Sequence, residues 1–204
     1  DHVSVSYGEV VDYVNKNGSY ILKEQTVSET FIGWGYNNTV YYVGEEISVG
    51  EENVTLNTVA VNFTLKNGAA MRLSNTIEDS GIRFTAVINE ADYTALASYG
   101  ITVKEKGILI IPTNLLGDKL PNLTDFVAGR DILKIVNEKE NDVVDGNRQY
   151  CGAMHKIKTT NHARDYAGRG YMIIEVNGAE MILYTPFSTE NVRSIRTIAT
   201  AFKA

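Results

Sequence analysis

The sequence predicts a mainly β fold with a few short helices, and three observations carry that prediction. Apolar residue types make up 44% of the 204 residues, which is enough to build a core. Short β-branched and aromatic runs recur along the chain, bounded by glycine, asparagine and glutamate. Asn-Gly and Asp-Gly pairs, which favour tight turns, fall at residues 17–18, 67–68, 145–146 and 177–178.

The clearest predicted element is a hairpin in which residues 171–176 and 179–184 flank the Asn-Gly pair at 177–178. Both turn residues tolerate a positive φ, as a two-residue hairpin turn requires. A buried strand over 107–111 is expected to stop at Pro112, because proline has no N–H to donate to a strand ladder. Further strands are predicted over 20–22, 40–43, 54–56 and 59–65.

Helices are fewer. Asn89 can cap a helix that Gly100 ends, since asparagine accepts the first free N–H groups and glycine tolerates the left-handed terminus. Apolar residues at three- and four-residue steps predict a second helix near the C-terminus. That helix would run from a cap at Ser188 or Thr189 through Phe202, and a further one is predicted over 124–130.

The chain changes character near residue 62. Short aromatic strands precede this point, and longer strands with interspersed helices follow it. We therefore predict a small β unit over 1–62 and a β-sandwich-like domain over 63–204, with the C-terminal helix packed on its surface. The boundary is expected at 62–66, with a strand that runs from one unit into the next.

Composition excludes several functional classes. The net charge of −6 argues against nucleic acid as a partner, because nucleic-acid binding needs a basic surface. Mean hydropathy is −0.15, and no apolar run approaches the length of a membrane-spanning helix, so no membrane insertion is expected. Cys151 is the single cysteine and there are three histidines, so neither a disulfide, a metal site nor a cofactor is expected.

The first 61 residues contain a recognisable series: Phe-Ile-Gly-Trp at 31–34, Tyr-Tyr-Val-Gly at 41–44 and Asn-Val-Thr-Leu at 53–56. Over about residues 20–61 this series resembles the second half of the Listeria–Bacteroides (internalin B-repeat-like) surface repeat. The resemblance implies a repeat-like β unit on the surface of a Gram-positive bacterium.

The rest of the chain, 63–204, resembles a module that accompanies such repeats in large secreted proteins of gut Clostridia. The resemblance implies an extracellular or cell-surface location and no particular reaction. The segments that carry it are residues 68–73, 80–86, 107–112, 168–171 and 193–195.

Three aromatic residues, Trp34, Tyr36 and Tyr41, are predicted to bind a ligand. Exposed planar rings on a rigid β scaffold stack on the apolar faces of sugar rings. Tyr41 and Tyr42 are adjacent, so in a strand they point to opposite faces and only one of them can join Trp34. The alternative is that Trp34 is a core residue and the tyrosines cover the sheet.

Three arginines, Arg72, Arg83 and Arg169, lie in or beside apolar strands. An arginine in that position either forms a structural ion pair or grips a planar anion such as a carboxylated sugar. Arg83 and Arg169 therefore join the predicted ligand-binding residues. The candidate structural partners are Glu78, Asp79 and Asp165.

No catalytic residue is predicted. The carboxylate pairs Glu78–Asp79 and Glu175–Glu180 lack the isolated apolar setting that a glycosidase acid needs. Cys151 and His155 form the one Cys–His proximity, and a buried, inert thiol is the preferred interpretation.

Two polar stretches are interpreted as solvated. The turn around residues 142–147 is oxygen-rich but lacks the spacing of a calcium loop. Residues 155–164 form the most basic stretch, interpreted as a solvated edge strand, with contact to an anionic polymer as the alternative.

These observations lead to one functional hypothesis and one alternative. The chain is predicted to be a non-catalytic extracellular module that binds a polysaccharide or a surface glycan by aromatic stacking on a β surface. The alternative is a structural spacer or a protein-binding adhesin module whose partner is another surface protein.

Overall fold

The computed structural model describes residues 3–5, 10–11, 19–22, 30–48, 55–72, 80–139 and 142–202. Within these ranges the chain is mainly β, with several antiparallel sheets and a short helix near the C-terminus, which confirms the predicted fold class. The strands are β1 (Val3–Val5), β2 (Val10–Val11), β3 (Ser19–Ile21), β4 (Phe31–Tyr36), β5 (Thr39–Tyr41), β6 (Glu46–Ser48), β7 (Thr55–Ala60), β8 (Phe63–Leu65), β9 (Ala70–Arg72), β10 (Gly81–Asn89), β11 (Thr102–Pro112), β12 (Leu133–Val136), β13 (Val143–Val144), β14 (Asn147–His155), β15 (Tyr166–Val176), β16 (Ala179–Tyr184) and β17 (Val192–Arg193). The α-helices are α1 (Glu90–Ala95) and α2 (Ile195–Ala201), and 3-10 turns form at Leu96–Tyr99, Thr113–Leu115, Thr159–Asn161 and Thr189–Asn191.

The larger unit consists of two antiparallel sheets that face each other. The front sheet has the order β13-β14-β10-β8, and β9 pairs with β10 beyond the end of β8. The back sheet has the order β12-β11-β15-β16, with β17 paired to β15. Along β10, the side chains of Ile82, Phe84, Ala86 and Ile88 alternate into the core and are buried. This alternation is typical of a strand with one face on a core and one face outward.

Two glycines of β15 let the sheets approach closely. A Cβ atom at Gly168 would lie 2.5 Å from ring carbons of Phe84, and one at Gly170 would lie 2.9 Å from the ring of Phe63. Ordinary carbon–carbon contacts are about 3.5–4.0 Å. The aromatic rings of the front sheet therefore occupy the space that side chains at these two positions would need.

The outer face of the back sheet is covered by the segment over 113–132. Phe126 and Ile132 of this segment are buried in one cluster with Leu109 and Ile111 of β11. The back sheet is thus apolar on both faces, which explains why β15 has no regular alternation of burial.

The N-terminal unit has its own sheet, in the order β2-β1-β7-β4-β5, beside a two-stranded sheet of β3 and β6. Strands β4 and β5 form a hairpin that the sequence analysis did not identify. Its turn residues, Asn37 and Asn38, have φ values of 49° and 59°. Asparagine occupies this left-handed region more readily than other non-glycine residues, so the pair supports a two-residue turn without glycine.

The two units share one buried core. The hydroxyl of Tyr42 donates to the carbonyl of Val176 at 3.0 Å, and the side-chain amide of Asn177 donates to the carbonyl of Val40 at 2.7 Å. The ring of Tyr99 packs so closely on Gly35 that a Cβ atom there would lie 2.4 Å from it. The N-terminal unit is therefore packed against the sandwich through specific contacts.

The strand expected to run through the boundary is interrupted. Strand β7 ends at Ala60 and β8 begins at Phe63. Between them, the N–H of Asn62 donates to the Asp92 carboxylate at 2.9 Å, and its carbonyl accepts from the N–H of Asn89 at 2.9 Å. These bonds to the start of α1 replace the ladder bonds that a continuous strand would make. The division into units 1–62 and 63–204 stays a prediction.

The helix predictions had mixed outcomes. The helix capped by Asn89 is confirmed: the side-chain oxygen accepts from the N–H of Asp92 at 3.1 Å, and Gly100 has a φ of 69° at the end of the following 3-10 turn. The predicted start of the C-terminal helix is wrong, because Ser188 caps only a 3-10 turn and the chain then pairs with β15 as β17. Helix α2 begins at Ile195 behind a capping box at Ser194.

The helix predicted over 124–130 does not form. The side-chain oxygen of Asn122 accepts from the backbone N–H groups of Thr124 and Asp125, at 2.8 and 2.7 Å. The carboxylate of Asp131 accepts from the N–H of Val127 at 3.0 Å. Such local bonds offer the backbone an alternative to the helix, and here they hold a series of turns.

Other predictions of turns and strands were partly right. The hairpin at 177–178 is confirmed, with both turn residues at positive φ, and the buried strand at 107–111 belongs to the longer β11, which includes Pro112. The pair at 67–68 makes no hairpin, since β8 and β9 both pair with β10. The pair at 17–18 lies outside the described residues.

Candidate functional site

Trp34 is a core residue. Its exposed fraction is 1%, and it lies in a small cluster with Leu22, Ile47 and Leu56. It pairs directly with Tyr41 across β4 and β5, so the two side chains share a face, whereas Tyr42 points to the sandwich. The expectation that only one of the two tyrosines joins Trp34 is confirmed. The burial of Trp34 does not fit the ligand-stacking role predicted for it, because neither face of its ring is open to a sugar.

Tyr36 and Tyr41 are half-buried and pack against the same small cluster. Phe31 packs edge-on against Trp34, with the ring centroids 5.6 Å apart. The aromatic series of β4 and β5 thus forms the hydrophobic core of the N-terminal unit, and the tyrosines keep part of their surface exposed.

Arg169 is buried, with 4% of its surface exposed. Its Nε donates to the carbonyl of Thr185 at 2.8 Å, its Nη1 donates to the carbonyl of Pro121 at 3.2 Å, and its guanidinium lies 4.8 Å from the ring centroid of Tyr184. Arg169 therefore ties β15 to the residue that follows β16 and to the covering segment. Its burial does not fit the ligand-binding role predicted for it, and these contacts are to two backbone carbonyls and an aromatic ring.

Arg83 is exposed, and the strand register brings it beside two further groups. On β10, Gly81 pairs with Arg72 of β9 on one side and with His155 of β14 on the other. The next outward row places Arg83 between Ala70 and Ala153. Residues two apart on a strand share a face, so these six side-chain positions form one patch.

This patch is a shallow groove of about 300 Å³, which we call the arginine groove. Its rim carries the exposed side chains of Arg72, Arg83 and His155. Its outward floor consists of Ala70, Gly81 and Ala153, and Met71 and Ile82 complete the lining.

The floor is flat for a structural reason. A Cβ atom at Gly81 would lie 2.3 Å from the carbonyl oxygen of Met154, so β14 approaches β10 only because residue 81 is glycine. Among the described residues, no carboxylate forms an ion pair with Arg72 or Arg83. Two guanidinium groups above a floor of small residues can bind a planar or tetrahedral anion through paired N–H donors.

The groove lies at one end of a larger outward surface of the front sheet, which we call the open face. The outward residues of β8, β9, β10 and β14 are not acidic: Thr64, Ala70, Arg72, Gly81, Arg83, Thr85, Val87, Asn89, Asn147, Gln149, Cys151, Ala153 and His155. Asp142, whose carbonyl accepts from the N–H of Gln149, borders them at the far edge of the sheet. The back sheet is covered on its outer face, whereas no element in the described part of the chain covers the outer face of the front sheet.

Cys151 lies on the open face, and the prediction of a buried thiol is wrong. It pairs with Thr85, whose hydroxyl lies 3.3 Å from the Cys151 sulfur. The alternation of β14 buries Tyr150 and Gly152 and turns the residue between them outward.

Ionisable groups elsewhere are paired in structural networks. Burial opposes ionisation of Glu105, but hydrogen bonds from Lys134 and Tyr171 outweigh it, so the pKa of this carboxyl lies below its ordinary value. The hydrogen bond from Arg148 lowers the pKa of Glu90 in the same way. Each carboxylate is thus held ionised by a neighbour, which is the opposite of what a general acid needs.

In the described part of the chain, no cluster of three or more histidine, cysteine, aspartate or glutamate residues could hold a metal ion. None of the helices in the described ranges is long and apolar enough to cross a membrane. The carboxylates Glu78 and Asp79, considered above as arginine partners or as an acid pair, lie outside the described residues.

Comparison with known proteins gives no relative from which a role could be transferred. No family model matches the chain, and neither the curated proteins nor the solved structures contain a significant match. The resemblance to secreted repeats and modules stays a prediction.

Sequence reasoning grouped Arg72 and Arg83 with Arg169, named His155 only in other contexts, and did not predict that Arg72, Arg83 and His155 share one groove. The residues lie up to 83 positions apart in the chain, since the groove joins Arg72 to His155. Their proximity depends on the register of β9, β10 and β14, which the sequence analysis did not predict. The small residues of the floor carried no signal of their own in the sequence.

Proposed function

We propose that this chain is a non-catalytic extracellular module that binds an acidic polysaccharide, with the arginine groove as the primary contact. One observation carries the proposal: Arg72, Arg83 and His155 rim a flat groove, and none of the described residues that line it is a carboxylate. The extracellular setting is supported by the resemblance of the sequence to secreted and surface modules.

The binding mode differs from the one expected from the sequence. Trp34 is buried, so aromatic stacking is not the main contact. Instead, the guanidinium groups of Arg72 and Arg83 would bind the carboxylate of a uronic acid unit through charge-assisted hydrogen bonds. The floor would let the sugar ring lie against the sheet, and the imidazole of His155 would bond a ring hydroxyl.

Titration calorimetry with polygalacturonate tests the proposal, with neutral cellulose oligosaccharides as the comparison ligand. We expect Arg83→Gln and Arg72→Gln each to weaken binding by about two- to fivefold, since an exposed ion pair contributes about 0.2–1 kcal/mol. Arg130→Gln is the matched control, because Arg130 is exposed and paired with Asp131 on the covering segment.

Ala153→Leu provides a variant that keeps every charge. A leucine there would fill the floor of the groove while the rim stays in place. We expect folded Ala153→Leu protein to lose binding as well. Undiminished binding in folded Arg72→Gln and Arg83→Gln proteins, or equal binding of neutral and acidic ligands, would refute the proposal.

The second candidate is a structural spacer or a protein-binding adhesin module. It is favoured by the core that the two units share and by the use of the repeat-like aromatic residues as packing. A spacer of this kind would unfold in one cooperative calorimetric transition. A single transition combined with no affinity for any acidic or neutral glycan would favour this candidate over the first.

A further inference from the structure

We infer that the ligand is a polyanionic chain that extends from the arginine groove onto the adjoining segment 156–164, which we call the basic loop. This inference rests on the proposed function and makes it more specific. It concerns the length of the ligand and the number of its charges: several acidic units in succession, and not a single terminal acid.

The charge of the basic loop contrasts with that of the whole protein. The chain has a net charge of −6, yet residues 155–164 contain three cationic side chains and no acidic one. The cations are Lys156, Lys158 and Arg164, and all three side chains are exposed. In an acidic protein, a cationic segment beside a cationic groove marks the surface that an anionic polymer can approach.

Specific contacts hold the basic loop beside the groove. The loop starts directly after His155 on the groove rim. The N–H of Ile157 donates to the carbonyl of Ser80, one residue before Gly81, and the Ile157 side chain is buried at 4% exposure. Lys156 has a φ of 61°, which turns the chain away from the strand direction of β14.

The cationic surface continues beyond the loop. The N–H of Arg196, in the first turn of α2, donates to the carbonyl of His162 at 2.9 Å. The side chain of Arg196 is exposed, and α2 packs against β9, which carries Arg72. The groove, the basic loop and the start of α2 thus form a connected surface at one end of the sandwich. Asp165 is the exposed carboxylate that follows the loop in sequence.

A polymer fits this surface better than a monomer does. One exposed ion pair contributes little, so a ligand with a single charge would engage the groove alone. A chain with a charge on each unit would add the contacts of the loop at a high effective concentration. Affinity should therefore rise with the number of units, and its dependence on salt should grow with the number of ion pairs formed.

The test compares galacturonic acid, short oligogalacturonates and polygalacturonate, each titrated into the wild type and into a Lys158→Gln/Arg164→Gln double variant at several salt concentrations. We expect the double variant to lose about tenfold in affinity for the polymer and less than about twofold for the shortest ligand that binds. The salt dependence of polymer binding should become shallower. Lys119→Gln/Arg130→Gln is the control pair, on the segment that covers the back sheet.

The outcomes separate this inference from the proposed function. If short and long ligands bind alike and the double variant equals the wild type, the extended contact is overturned while acidic-glycan binding in the groove stands. If no galacturonate of any length binds, the proposed function and the inference both fail. If double-stranded DNA competes with polygalacturonate with equal affinity and depends on the same residues, the surface recognises only negative charge, and the assignment to a glycan is overturned.

Discussion

The close approach of β15 to Phe84 of the facing sheet makes a stability prediction that can be worked from the structure. We consider Gly168→Ala, which places a methyl group 2.5 Å from two ring carbons of Phe84. A normal contact is about 3.5–4.0 Å, so the ring or the strand must move by about 1 Å. The ring of Phe84 is fully buried, so it has little free space to move into.

The expected cost follows from these distances. Overpacking of this size costs about 1–3 kcal/mol, and replacement of glycine by alanine returns about 0.4–1 kcal/mol through the unfolded chain. We therefore expect a net loss of about 1–2 kcal/mol in the free energy of unfolding. For a chain of this size, that corresponds to a fall of about 2–8 °C in Tm.

Chemical denaturation with a double-mutant cycle tests the mechanism. Phe84→Leu removes the ring plane that the new methyl group would strike. We expect the double variant Gly168→Ala/Phe84→Leu to be more stable than the sum of the single effects by about 1 kcal/mol. Strict additivity, or a Gly168→Ala protein as stable as the wild type, would refute the reasoning that glycine sets the distance between the sheets.

Three further predictions concern single residues. The native-state pKa of Glu105 lies below its ordinary value, so on acidification this carboxylate takes up a proton in the unfolded state before it does so in the folded state. The ionised Glu105 side chain therefore stabilises the folded protein above about pH 4.5, and this stabilisation is lost as the pH falls through the lower native-state pKa. When the free energy of unfolding is measured by chemical denaturation from pH 6 to pH 3, it should fall less steeply for Glu105→Gln than for the wild type. Cys151 is exposed, so Ellman's reagent should titrate one thiol in the folded protein, and reaction only after denaturation would contradict the placement of this strand. Trp34 is the single tryptophan and is buried, so the fluorescence of the native protein should be blue-shifted and protected from quenching by acrylamide. Acidic glycans should leave this emission unchanged. A shift in emission on binding would indicate that the ligand binds at the N-terminal unit instead of at the arginine groove.

The parts of the fold that sequence reasoning predicted well are local. The hairpin at 177–178 and the helix capped by Asn89 depend on the conformational freedom of turn residues and on bonds within a few positions. Predictions failed where a distant partner competed with the local pattern. The residues before α2 follow a helical period, yet pairing with β15 takes Val192 into a strand.

The sequence predicted the chemistry of the candidate site, but not its location in the fold. The residue types pointed to an arginine that grips an anion, and the structure separates the two arginines chosen for that role. Arg169 points to the outer side of the back sheet, where the segment over 113–132 covers it. Arg83 points to the outer side of the front sheet and stays exposed. The alternation of residues along a strand predicts which side chains face outward. Only the tertiary structure shows whether another segment covers that face of the sheet.

The sequence by itself therefore determined the mainly β class, the tight turns and the absence of an internal disulfide, because these depend on residue type and near neighbours. Only the tertiary structure decided that Trp34 packs inside, that Cys151 faces outward and that Arg72, Arg83 and His155 share one groove. The physical reason is that register and sheet packing join residues far apart in the chain. The energy of those contacts belongs to pairs of strands, so no single segment of the sequence encodes it.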